Sequence, residues 1–144
     1  MMQGMFDNGS LPVLERMVQF TEARHKVLTH NIANLSTPYF KPKDLNTESF
    51  QASLREAIDK RRSTATPSSG QLQFRDTDQV KFEHDRLLGM PTTTNDGVLF
   101  HDQNNRDVVR VMQDLAENTL AHNTAIEMIR NQFALMQMAI RERL

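Results

Sequence analysis

The side chains in this chain best suited to chemistry are five histidines and 18 Asp and Glu residues. His25, His30, His84, His101 and His122 stand at spacings that match no compact zinc motif, and the absence of cysteine removes thiolate ligands and disulfides together. Asp76-x-Asp78 opens like a calcium loop, but Val80 and Lys81 occupy the third ligand and the glycine positions, so the stretch reads as a turn. No Gly-rich phosphate loop and no activated Ser setting is present, and carboxylates spread over polar helix faces are ordinarily solvated charge. The expectation is a chain with no catalytic residue, no cofactor and no metal, and thus not an enzyme. His25 and His122 could meet if the helices that carry them run in opposite directions, and protonation would then weaken their contact.

Those helices are the strongest signal in the sequence. Leu11, Leu14, Val18, Thr21, His25, Leu28, Ile32 and Leu35 follow an alternating three-and-four spacing, which puts them on one helical face. Val108, Met112, Leu115, Thr119, His122, Ile126, Ile129, Phe133, Met136 and Ile140 repeat the alternation at the other end. At 1.5 Å of rise per residue such helices are about 40 to 50 Å long, too long to wrap inside a small globule. They call for partner helices, and these two stripes are the candidate assembly seam.

Composition agrees. The chain has 144 residues and 38% hydrophobic content, much of it on the terminal stripes, so a large central core is not expected. Aromatics are scarce while nine Met residues supply adaptable apolar contact. A net charge of −1, with Lys60-Arg61-Arg62 the single dense basic cluster, gives no basic face of the kind that nucleic acid requires. No apolar run is long enough to span a bilayer, and the first residues lack the charged start and hydrophobic core of a cleaved signal.

The fold class expected is mainly α, with two long terminal helices in a coiled-coil-like pair and a short helix and small β-hairpin in an irregular region between them. Residues 1–38 hold the first helix, capped by Ser10 with Pro12 in its first turn and stopped at Asn34 or Leu35 by Ser36-Thr37-Pro38. Residues 39–103 form the middle: Phe50, Leu54 and Ile58 predict a helix over about 47–61, and 63–70 is a polar linker. Leu72 and Phe74, then Val80 and Phe82, predict a hairpin around Asp76-Thr77-Asp78. A loop over 89–97 and a short extended piece at Val98-Leu99-Phe100 follow. Residues 104–144 form the last helix, capped by Asn104 or Asn105, with Asp107 in its first turn.

In this order the residues resemble the flagellar basal-body rod proteins, and within that family the proximal rod subunits. In the family the first helix ends in an Asn-Ile-Ala-Asn signature and a Thr-Pro turn, followed by an aromatic, a basic residue, an Asp and later a Phe. Here these are Asn31, Ile32, Ala33 and Asn34, Thr37-Pro38, Tyr39 or Phe40, Lys41 or Lys43, Asp44 and Phe50, and Arg24 falls where the family's first helix carries an arginine. Asp102, Asn104, Asp107, Met112, Glu117-Asn118, Leu120 and Ile140 correspond at the other end. Three positions depart from the pattern. Pro38-Tyr39-Phe40 replaces Pro-Gly-Tyr, so the glycine that would tolerate a positive backbone angle is missing and the turn type stays open. Gln103 replaces a glycine, and His122 stands where the family often has tyrosine.

The resemblance implies a structural subunit of the bacterial flagellar rod, assembling through its terminal helices into the axial drive shaft. It also implies export by the flagellar type III apparatus without a cleaved signal. Implied partners are copies of itself, FlgC-like and other rod subunits, and membrane-ring or export-gate components, with no nucleic acid and no direct membrane span. Asn31 and Asn34 read either as contacts between subunits or as local caps at a helix end. A cytoplasmic helical adaptor or export chaperone dimerising through the same helices is the alternative that periodicity alone allows.

Overall fold

The structure, a computed structural model, describes residues 9–63, 72–83, 86–93 and 108–141. It is mainly helical. Helix α1 spans Leu11–Ala33, α2 Thr47–Arg62 and α3 Val108–Arg141, with short strands β1 (Lys43–Asp44), β2 (Val80–Glu83), β3 (Arg86–Gly89) and β4 (Thr92–Thr93) between α2 and the flanks of α1. β2 and β3 form an antiparallel hairpin, and β1 pairs antiparallel with β4. The expected Asn104 or Asn105 cap and the Val98–Phe100 piece lie outside the described residues.

α1 and α3 pack side by side in opposite directions: Thr21 meets Asn118 and His122, whereas Arg24, a turn further along α1, meets Asp114. α3 has 34 residues and α1 has 23, so α3 is longer by about 16 Å at 1.5 Å per residue. The core lies on an adjoining face of α1. Phe20, Leu45, Phe50, Leu54 and Val80 are buried together, Phe20 stacks on Phe50 at 4.0 Å, and Val13, Met17, Ile58, Phe74, Phe82 and Leu87 close around them. The apolar centre is therefore more substantial than composition led us to expect, because α1 is amphipathic twice over and lends its second face to the middle.

Local chemistry explains the ends of the elements. The N-cap position of α1 is Ser10, as expected, but its hydroxyl makes no capping bond; its backbone is already helical (φ −91°, ψ −11°), which aims the side chain away from the orphan amides. α2 is capped properly: Asn46 accepts from the Ser49 amide at 2.9 Å, Glu48 sits in the first turn, and Lys60, Arg61 and Arg62 sit in the last, where the helix dipole favours cations.

The hairpin differs from expectation. Its strands are Val80–Glu83 and Arg86–Gly89, and Leu72 and Phe74 are not in a strand. Thr77 and Val80 exchange backbone hydrogen bonds and Asp76 accepts from the Phe82 amide, so the backbone of this stretch is spent on a tight turn. Phe74 still reaches the hairpin, by stacking on Phe82 at 4.3 Å. Gly89 lets the strand lie close to the core: an added Cβ would stand 3.0 Å from Leu45 Cδ1, and that side chain would have to shift.

Candidate functional site

The joint between α1, α3 and β1 is polar. Arg24, nearly buried on α1, donates through Nε to Asp44 Oδ1 at 3.0 Å and through Nη2 to Oδ2 at 2.7 Å, with Asp114 Oδ1 on α3 at 3.8 Å. A planar fork of donors matches a carboxylate in this two-bonded way, and the hydrogen bonding to Asp44 is the largest of the effects that raise the Arg24 pKa. Asp114 fares differently. Burial pushes its pKa up and outweighs the attraction of Arg24, whose guanidinium is already engaged by Asp44.

One turn away, the Thr21 hydroxyl donates to the carbonyls of Met17 and Val18, at 2.9 and 3.0 Å. The same oxygen stands 2.9 Å from His122 Nδ1, which ties the imidazole on α3 to α1. Asn118, 4% exposed, donates to the Thr21 carbonyl at 2.9 Å. His25 does approach His122: both line a cavity of about 150 Å³ with Glu22, Asn118 and Thr119. Lys26, 2.7 Å from Glu22, holds that carboxyl below its ordinary range. Among the described residues no group of three or more His, Asp or Glu is arranged to hold a metal, and no helix is long and apolar enough to cross a membrane.

The signature at the end of α1 builds a second joint. Asn31, buried, donates Nδ2 to the Lys43 carbonyl at 2.6 Å and accepts from the Lys43 amide at 3.1 Å, so one side-chain amide takes the place of a neighbouring strand along β1. Asn34 returns its Nδ2 to the His30 carbonyl at 2.9 Å and accepts from the Thr37 hydroxyl at 3.5 Å. The Phe40 amide then bonds the Thr37 carbonyl at 3.3 Å, closing a turn with Pro38 and Tyr39 at its centre. Tyr39 has φ +61°, the only non-glycine residue so placed among those described. A type II turn has this shape, with a residue of positive φ in third position. A bulky residue thus occupies a conformation that favours glycine.

Over 126 residues the chain is 27% identical to the flagellar basal body rod protein FlgB of Bacillus subtilis (strain 168), an alignment covering 88% of each chain. No protein-family model matches the sequence. An alignment of that extent reaches from one helix to the other, across Arg24, Asn31, Asp44 and Asn118. The likeness to FlgB therefore spans both joints as well as the helices that they connect.

The residues of the two stripes are placed as follows. Leu14 and Leu28 are buried, and Leu11, Val18, Ile32 and Leu35 are half-buried. On α3, Leu115, Ile126, Ile129 and Met136 are half-buried, whereas Val108, Met112, Phe133 and Ile140 are exposed. In the motif Asn31 and Asn118 are buried, Ile32 and Asn34 half-buried, and Ala33, Thr37, Pro38 and Glu117 exposed. The face that α3 turns to α1 runs Val111, Leu115, Asn118, His122, Ala125, Ile129, Gln132, Met136. It shares every second position with the apolar stripe and takes the preceding residue at the others. Asn118 and Ala125, the two buried residues of α3, are polar and small, so hydrophobicity alone passes over them in favour of Thr119 and Ile126. Asp114 carried no sequence signal beyond its place one helical turn before Asn118.

Proposed function

We propose that the chain is a structural subunit of the flagellar basal-body rod, placed in its proximal part, and that it assembles with copies of itself and with other rod subunits through its terminal helices. The observation that carries this reading is the state of α3. It buries two residues, while Val109 (79% exposed), Leu120 (70%), Leu135 (58%) and Met138 (55%) stand outward on the side away from α1. A long helix with an apolar outer side is unfinished until another helix covers it. The likeness to FlgB over most of both chains supports the same reading, as do the Asn31 and Arg24 joints at the positions where the rod family carries its signature. Under this reading residues 1–38 and 104–144 are the assembling segments, 39–103 is the part held between them, and the seam residues of both stripes are covered in the rod. The rod lies outside the inner membrane.

The test is a Leu120→Asp, Leu135→Asp double variant, scored for incorporation into isolated basal bodies and for motility. The expected result is a loss of incorporation of at least tenfold, with far-ultraviolet circular dichroism of the purified chain unchanged. Normal incorporation of the variant, or absence of the wild-type chain from the basal-body fraction, would overturn the proposal.

A further inference from the structure

Among the described residues the β3 edge of the hairpin is unpaired, and its residues line a groove against α1. Met90 donates its amide to the Gln79 carbonyl at 2.7 Å, so residues 79 and 90 form a hydrogen-bonded pair. In an antiparallel ladder such pairs alternate with pairs whose backbone groups point away from the partner strand. Counting along the register, Lys81 with Leu88 and Glu83 with Arg86 are bonded, whereas Val80 with Gly89 and Phe82 with Leu87 are not. The N–H and C=O groups of Leu87 and Gly89 therefore face outward, and among the described residues β2 and β3 are the only strands of this sheet.

What they face is a groove of about 710 Å³ between β3 and α1, lined by Ala23 and Val27 from the helix, with Leu45 and Pro91 at its base. Its rim carries Glu22 and Lys26, which neutralise each other at 2.7 Å, and Arg86, which has no ion pair among the described residues. An unpaired strand edge attracts another strand, because only a strand presents donors and acceptors at the matching repeat. The apolar base favours small or branched side chains on alternate residues, and the Arg86 guanidinium favours a carboxylate beside it.

We propose that the β3 edge is a docking site for an extended peptide segment from another polypeptide, which adds as a further strand against Leu87 and Gly89 and sets an acidic side chain on Arg86. The site lies on the middle of the molecule and stands independently of the rod reading. The probe is a blocked hexapeptide alternating valine with threonine and a single aspartate, followed by amide NMR and hydrogen exchange on the full chain. In the free protein the Leu87 and Gly89 amides should exchange quickly. Saturating peptide should shift both and slow their exchange at least tenfold. A peptide N-methylated on the bonding amides should have no effect. Arg86→Ala should weaken the aspartate peptide at least fivefold and leave its asparagine counterpart unchanged. Protection of both amides in the free protein would mean that the chain fills its own edge, and would overturn the proposal. So would equal binding of the N-methylated peptide, or shifts confined to α3.

Discussion

On one face of α1, Phe20 stacks on Phe50 and packs with Leu45 and Val80 in an apolar core; on the other, Thr21 and Arg24 reach α3 through Asn118, His122 and Asp114. The same helix thus makes one contact by excluding water and another by matching donors to acceptors. Apolar burial stabilises strongly and tolerates small changes of angle, while net hydrogen-bond contributions are about 1 kcal/mol each and demand one geometry. The first face gives α1, α2 and the hairpin a fold of their own. The second fixes the register and direction in which α3 lies against it, and leaves the outer side of α3 available to a neighbour.

The contrast can be broken from either side. Phe20→Ala should have the largest effect, a loss of about 3 to 5 kcal/mol in urea unfolding, because it removes a buried ring and leaves a cavity. Arg24→Met should come next, at about 2 to 3 kcal/mol, less than a fully buried pair because Asp44 and Asp114 keep some access to water. Loss of native hydrogen-exchange protection in α3 ahead of α2 would show that the polar face yields first. Asn118→Ala should cost about 1 to 2 kcal/mol, a buried hydrogen bond, with the same order of exchange. Equal effects of Phe20→Ala and Asn118→Ala would erase the distinction between the two faces.

Two smaller effects sharpen it. Tyr39→Gly should stabilise the protein by up to about 1 kcal/mol in thermal unfolding, since a left-handed conformation costs a side-chain-bearing residue about 1 to 2 kcal/mol and the added freedom of the unfolded glycine returns part of that. Asp114→Asn tests the pH behaviour of the joint. The folded Asp114 binds its proton more tightly than the unfolded chain, whose pKa is near the ordinary 3.8. Its contribution is therefore most favourable below that value and is lost as pH rises through the folded pKa. The asparagine variant should be at least as stable as wild type at pH 7, and the difference should close below about pH 4, as measured by urea unfolding across that range.

Much of this architecture was legible in the residues. The three-and-four spacing located both long helices, Pro38 located the stop of the first, and Phe50, Leu54 and Ile58 located the short one. The family signature drew attention to Arg24, Asn31, Asp44 and Asn118, and the structure shows those four making the joints. What escaped notice is physically consistent. Ser10 has the right chemistry for a cap but the wrong backbone, and Leu72 and Phe74 have strand-like alternation but stand before the turn at Thr77–Val80 and outside the strands that follow it. The α1-facing side of α3 slipped by one residue at alternate steps because its anchors act through hydrogen bonding and small size, neither of which hydropathy registers. The open edge at Leu87 and Gly89 is a property of register, which composition does not carry.

The two stripes on α3 share Leu115, His122, Ile129 and Met136, which form a common rail along the helix. Rolling α3 about that rail by a fraction of a turn would carry Asn118 and Ala125 out and bring Thr119 and Ile126 in, with half of the contacts kept throughout. The bond from Asn118 to Thr21 is then a latch on that roll, which a neighbour that rewards the rotated pose would have to break before the apolar stripe turns toward α1.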